Sequence, residues 1–367
     1  MRWALYNLTT TTQGGGVEMS VWSLGQELAR RGHQVTIIGG QGQRALPAEA
    51  AGLMVRTFGY TARERFPDLG TRARKFMERL SFARKALPSL LKGGFDRLLV
   101  FKSYDLAPAL WAARRGGMRV GFLSGGSEFY PGFGLLARRL DYLAAVSGFT
   151  AGQMERARGL SCQINHLGVD TARFRPQEPD PDLARSCGLE PGDQALVAAV
   201  RLVALKGVQR TIEALALLKD SHPGLKLLVA GEGPYGEELL RRARQAGVAD
   251  QVRLLGFLTP DRLAGFYALG TLAVFPSMGE EALGLAIAEA MACGLPVVAS
   301  RLGGVPEVVG DCGELVLPKD DQALAKAIAG LLDDPGRRAE LAQRGRLRVA
   351  REFTWPACAA RLEEGLA

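Results

Sequence analysis

Phe275-Pro276-Ser277-Met278-Gly279-Glu280-Glu281-Ala282-Leu283-Gly284-Leu285-Ala286-Ile287-Ala288-Glu289-Ala290-Met291-Ala292-Cys293-Gly294-Leu295-Pro296 is the stretch on which the fold turns. A strand ends at Pro276, a loop with two adjacent carboxylates follows, and a helix begins near Gly284. Gly294 and Pro296 stop that helix before the next apolar run, 296–299. Strand, loop, helix and strand in this order form one βαβ unit, the building block of a parallel sheet. The amides of Ala282, Leu283, Gly284 and Leu285 fall where a helix start offers free N–H groups to an anion. Glu281 precedes the helix, and Glu289 lies eight positions later. A carboxylate beside a phosphate cradle repels the phosphate, so this pair is expected to contact neutral hydroxyls of a sugar or ribose.

The same grammar extends in both directions. In the first half, strands are predicted over 3–8, 34–38, 97–101 and 119–123, with helices over 17–31 and 106–114. In the second half, strands are predicted over 195–200, 225–230, 252–255, 272–275, 296–299 and 314–317. Helices over 322–332 and 337–351 follow. The expected class is α/β, with two doubly wound Rossmann-like domains joined through the polar stretch 174–193. Within that stretch, Asp180-Pro181-Asp182 has the spacing of a metal-binding motif but reads better as solvated linker.

The chain has 367 residues, of which 47% are hydrophobic and 23% charged, enough for two substantial cores and too apolar for disorder. No run of apolar residues is long enough to span a bilayer. The amino-terminal apolar run is too short for a signal peptide. Five dispersed cysteines suit a reducing compartment, so a cytoplasmic location is expected. The net charge of +8 is uneven, with 25 basic against 14 acidic residues in 1–180 and 21 against 24 beyond. An anionic partner is therefore expected at the first half: a membrane, a polyanion or a phosphorylated substrate. Residues 63–92 are basic and amphipathic, with Phe76 and Leu80 at helical spacing among Arg72, Lys75 and Arg79. Such a helix suits the inner face of the plasma membrane, although an ordinary helix packed on the sheet has the same pattern. Without a recognisable binding module, nucleic acid is not an expected partner.

After the first strand, Thr9 to Gly16 form a loop ending in Gly14-Gly15-Gly16. The glycines permit close backbone approach to a ligand, and a flexible turn is an equally good reading of them alone. The GxGxxG fingerprint is absent, and the second strand ends without a ribose-binding acid, which argues against a nicotinamide enzyme.

Glu-x7-Glu followed by Ala-Met-Ala-x-Gly-x-Pro-Val resembles the retaining glycosyltransferases of family 4, which have the two-domain GT-B fold. Gly15-Gly16-Val17-Glu18, Arg31-Gly32-His33, Gly168-Val169-Asp170, Arg201 with Lys206-Gly207, Gly231-Glu232-Gly233-Pro234 and Gly303-Gly304-Val305-Pro306-Glu307 extend the likeness over nearly the whole chain. The resemblance implies an amino-terminal acceptor domain over 1–172, completed by a returning helix over 353–367. It also implies a donor domain over 173–352 facing the first across a cleft. Arg201 and Lys206 are implied to hold the donor diphosphate without a metal. Glu281 is implied to hold the transferred sugar, Glu289 the ribose, Gly15 and Gly16 the donor phosphate or acceptor, and the backbone of Gly256, Phe257 and Leu258 the base. No cofactor is implied, only a UDP- or GDP-linked sugar as substrate and a glycan or lipid-linked acceptor. Many relatives carry a histidine after the strand that here ends at Leu123, where this chain reads Ser124-Gly125-Gly126-Ser127-Glu128. Ser124 or Glu128 is a candidate replacement, and Glu128 a candidate acceptor-binding residue or base. A nucleotide-sugar epimerase and a non-catalytic nucleotide-sugar binder remain alternatives on the same scaffold.

Overall fold

A computed structural model describes residues 1–42, 47, 50–126 and 128–367. The chain divides into two compact units, Met1–Gly168 with Trp355–Ala367, and Val169–Thr354.

In the first unit the strands are β1 (Arg2–Tyr6), β2 (Gln34–Gly40), β3 (Met54–Phe58), β4 (Arg97–Val100), β5 (Arg119–Ser124), β6 (Tyr142–Ala145) and β7 (Gln163–Ile164). Its helices are α1 (Gly16–Arg30), α2 (Thr71–Lys92), α3 (Leu106–Gly116), α4 (Phe133–Ala137) and α5 (Gly148–Arg158). The sheet order is β3-β2-β1-β4-β5-β6-β7, with every pairing parallel. The chain thus winds one way from β1 and then the other way from β4, leaving a switch point at the carboxyl ends of those two strands. Continuous apolar runs such as Trp3-Ala4-Leu5 are buried because helices cover both faces of such a sheet. The sequence reading did not include β3, β6 and β7. β7 spans two residues and β6 reads Tyr-Leu-Ala-Ala, so neither shows the branched apolar run that marks a strand.

The second unit opens with α6 (Pro181–Ser186), where Asp180 accepts hydrogen bonds from the amides of Asp182 and Leu183. The stretch expected to be solvated linker is therefore a helix cap with proline in the first turn. The strands are β8 (Gln194–Ala199), β9 (Leu225–Ala230), β10 (Val252–Leu254), β11 (Leu272–Phe275), β12 (Val297–Ser300) and β13 (Glu314–Val316). Between and after them come α7 (Val208–Leu218), α8 (Gly236–Gln245), α9 (Pro260–Ala268), α10 (Leu285–Ala292), α11 (Val305–Val309), α12 (Asp321–Leu332) and α13 (Pro335–Glu352). The order β10-β9-β8-β11-β12-β13 is again fully parallel and places its switch point between β8 and β11.

The last helix, α14 (Trp355–Gly365), belongs to the first unit. Its Glu363 accepts from Arg31 at 2.6 Å and lies 2.6 Å from His33 Nε2. Cys358 carbonyl accepts from the buried Asn165 at 3.2 Å. No disulfide joins the five cysteines, four of which are buried. Among the described residues, no helix is long and apolar enough to cross a membrane.

Candidate functional site

At the switch point of the second unit, β8 runs into a loop, 200–207, stitched to its neighbours by backbone hydrogen bonds. Leu202 N–H donates to Glu232 carbonyl at 2.9 Å, and Tyr235 N–H to Leu202 carbonyl at 3.1 Å. Met278 and Gly279 N–H groups donate to Leu205 carbonyl at 2.8 and 3.1 Å, tying this loop to the one after β11. Gly207 has φ 75°, and a Cβ there would run into the Pro276 carbonyl, so only glycine lets the two loops meet. Gly303, at φ 62°, lies against the Glu281 backbone from the other side, and Gly304 N–H donates to Glu281 carbonyl at 2.8 Å.

This bracing brings Lys206 and Glu281 together. Lys206 Nζ lies 2.5 Å from Glu281 Oε1, and the same oxygen accepts from buried Ser277 Oγ at 2.8 Å. Glu281 Oε2 is left without a hydrogen-bond partner among the described residues. Arg201 is exposed on the same loop as Lys206, with no ion-pair partner among them. The site therefore offers a cation without a carboxylate, a cation shared with one, and a carboxylate oxygen open to a hydroxyl. The sequence pattern did not point to Ser277; its only signal was its place at the carboxyl end of β11.

Gly284 caps α10, and Leu283 before it is buried. Of the amides at this helix start, those of Gly284, Leu285 and Ala286 meet no protein acceptor among the described residues. Glu289, one turn into α10, is half-buried, and its carboxyl receives no hydrogen bond among the described residues. Burial pushes its carboxyl up to about 8, opposed by the positive charge of Arg173. The unfolded chain has no such shift, so between the ordinary glutamate value and about 8 the folded protein holds a proton that the unfolded chain releases. Stability is then present below that window and lost as pH rises through it. Wild-type protein is expected to melt at progressively lower temperature from pH 5 to pH 8.5, and Glu289→Gln to flatten that slope. Equal slopes in calorimetric scans of the two would contradict this.

The loop after β10 lies beside these elements. Gly256 carbonyl accepts from Gly231 N–H at 2.7 Å, and Phe257 N–H lies 3.4 Å from Glu232 Oε1. The Phe257 ring is largely exposed, and Leu258 is half-buried.

In the first unit, Gly15 and Gly16 are exposed where the loop after β1 enters α1. Glu18 accepts from Thr9 Oγ1 at 2.7 Å. Glu128 is exposed, pairs with Lys75 of α2, and its carbonyl accepts from Ser103 Oγ at 2.6 Å. Ser124 is buried and its hydroxyl donates to Gly126 carbonyl at 2.8 Å, so it is spent on its own turn; Ser127 lies outside the described residues. Sequence reasoning missed Lys102, which follows β4 at the switch point. Burial depresses the pKa of its ammonium, with Glu18 the first charge opposing that effect. Two of the three histidines stand elsewhere: His33 on Glu363, and His222 at 3.2 Å from Asp333. Among the described residues, no group of three or more His, Cys, Asp or Glu side chains could hold a metal ion.

Two family models match the chain, Glycosyl transferases group 1 over residues 181–348 and Glycosyltransferase Family 4 over residues 14–173. A GDP-mannose-dependent alpha-(1-6)-phosphatidylinositol monomannoside mannosyltransferase of Mycolicibacterium smegmatis is 36% identical over 239 residues, 61% of each chain. A D-inositol 3-phosphate glycosyltransferase of Acidothermus cellulolyticus is 41% identical over 201 residues, 51% of this chain and 44% of that one. The matches thus span about three fifths or less of these relatives' length. Sucrose-phosphate synthase from Thermosynechococcus elongatus superposes with a TM-score of 0.81 at 22% identity, covering 99% of this chain and 97% of that one. Anabaena Alr3699/HepE, solved with UDP and glucose, gives 0.81 at 20% identity over 100% and 99%. These likenesses show the GT-B fold, two parallel-sheet Rossmann-like domains.

Proposed function

The chain belongs to glycosyltransferase family 4, and from that premise we propose that it transfers a hexosyl group from a nucleotide-sugar to a glycan or lipid-linked acceptor, with retention of configuration. The observation that carries the reading is the meeting of Lys206 and Glu281 at the switch point, on a loop that also carries Arg201, which has no ion-pair partner among the described residues. The bond from the anomeric carbon to the diphosphate breaks, and a bond to the acceptor hydroxyl forms on the same face of the sugar. The acceptor's proton passes to the departing phosphate oxygen. Charge grows on the diphosphate as it leaves, and in this reading Arg201, Lys206 and the amides at the start of α10 meet it. The two cations supply the compensation that a divalent ion would otherwise provide, so the proposed reaction is metal-independent. Glu281 Oε2 takes a sugar hydroxyl, Glu289 the ribose hydroxyls, and the backbone at Gly256–Leu258 the base. Gly15 and Gly16 serve the donor phosphate or the acceptor, and Glu128 serves the acceptor.

The donor is GDP- or UDP-linked, the two nucleotides named for the relatives above. The acceptor belongs to cell-envelope glycan synthesis; one relative is named for a lipid-linked acceptor, phosphatidylinositol monomannoside. The protein reaches it as a cytoplasmic, peripheral membrane enzyme. Calorimetric titration with GDP, UDP and ADP tests the donor site: one nucleotide should bind, and Glu289→Ala should lose it. Absence of binding by all three would overturn the reading. A bound donor that isomerises with no acceptor present would make the chain an epimerase instead.

A further inference from the structure

Helices α2, α3 and α4 cover one face of the first sheet, because Phe82 and Ala86, Ala109 and Leu110, and Phe133 and Ala137 all enter the same core. Their outward sides therefore form one surface. On α2, Arg72, Phe76, Leu80 and Arg84 recur every four residues, which puts them in one exposed stripe. Phe76 is 46% and Leu80 54% exposed. On α3, Trp111 is 44% exposed, with the Arg115 guanidinium 4.1 Å from the centre of its ring. On α4, Leu135 is 72% exposed, and Arg138 and Arg139 follow it. The one carboxylate within these three helices, Glu78, is half-buried and accepts from the Arg63 amide. Arg72, Arg84, Arg115, Arg138 and Arg139 have no carboxylate partner among the described residues.

Single exposed apolar residues are ordinary. Here a phenylalanine, a tryptophan and two leucines project from three neighbouring helices, among five arginines without a carboxylate partner among the described residues. Aromatic and leucine side chains reach the acyl boundary while guanidinium groups stay with anionic headgroups. We propose that the combined outer face of α2, α3 and α4 docks the protein on an anionic lipid bilayer, with Trp111 and Leu135 entering it alongside Phe76 and Leu80. This rests on the proposed use of a lipid-linked acceptor, and it extends the membrane contact well beyond the basic helix.

The test is co-sedimentation of the full chain with vesicles of phosphatidylcholine alone and of phosphatidylcholine mixed with phosphatidylglycerol, at low and high salt. Binding should require phosphatidylglycerol and weaken with salt. The other three tryptophans are buried, so Trp111 reports on the face by itself. Its emission should shift to the blue on the mixed vesicles and become shielded from aqueous quencher. Trp111→Ser with Leu135→Ser should weaken binding by about tenfold or more. The same variant should keep its melting temperature and its affinity for nucleoside diphosphate. Equal binding to both vesicle types, or a Trp111 that stays fully quenchable while Phe76→Ser alone abolishes binding, would overturn the three-helix face. Self-association without vesicle binding would assign it to a second copy and also overturn the proposal. Intact nucleoside diphosphate binding without vesicle binding refutes only the docking face. Vesicle binding without nucleoside diphosphate binding refutes only the transferase reading.

Discussion

Lys206→Ala is expected to lower kcat/KM for sugar transfer by about 10²–10³-fold, the range found when a fixed group facing developing charge is removed. The geometry makes the variant doubly harmful. Lys206 offers its ammonium to the departing diphosphate, and it also holds Glu281 from 2.5 Å. Without it, the carboxylate keeps only the Ser277 hydroxyl as a fixed partner and faces the donor phosphates uncompensated. Affinity for the nucleoside diphosphate should therefore fall as well. Adding Glu281→Gln should restore much of that affinity, because it removes the repulsion, while transfer stays low for want of the cation. The two single variants and the double form a cycle whose coupling isolates the pair. Lys206→Arg should rescue poorly, since a planar fork does not reproduce a compact ammonium against a single carboxylate oxygen. Activity of Lys206→Ala within threefold of wild type, measured by donor turnover, would remove the pair from the mechanism.

Arg79→Met should destabilise the first unit by about 3–5 kcal/mol, as expected when one partner of a buried ion pair is removed. Arg79 and Asp105 lie 2.7 Å apart and are 8% and 0% exposed, respectively. Arg79 also donates to Asn7 Oδ1 at 3.2 Å, and Asp105 Oδ1 already lacks a partner. Burial raises the Asp105 carboxyl above its ordinary range, with Arg79 opposing the rise. Loss of Arg79 would let it rise further. The folded variant then holds a proton that the unfolded chain gives up, so the deficit should widen as pH increases through that interval. Arg79→Met with Asp105→Asn should recover part of the loss, because no charge remains buried. For a unit of this size the single change corresponds to a fall in melting temperature of roughly 10 °C. Nucleoside diphosphate binding by the second unit should persist below that transition. Denaturant unfolding of the two variants at pH 5 and pH 8 provides the measurement. A loss under 1 kcal/mol, or one that shrinks with pH, would contradict the argument.

Much of the fold is legible in the sequence. The strands at 225–230 and 272–275 were read to the residue, because buried parallel strands are unbroken apolar runs between turns. The helix start at Gly284 was read from local chemistry in the same way. The edge strand β3 and the alanine-rich β6 escaped because their stability comes from neighbours rather than from their own side chains. Asp180 was read as linker because a cap and a solvated loop use the same residues.

By itself, then, the sequence determined the class of fold, the alternation of elements and the residue types at each loop. These depend on the sterics and periodicity of neighbouring positions along one strand or helix. Only the tertiary structure decided that Lys206, Ser277 and Glu281 meet on one oxygen, since that requires β8 to pair with β11. Only it put the raised carboxyl of Glu289 within the field of Arg173, and buried Arg79 against Asp105. Strand order and loop closure are properties of the whole sheet. Two residues distant in sequence become chemical partners only when the packing of everything between them has been settled.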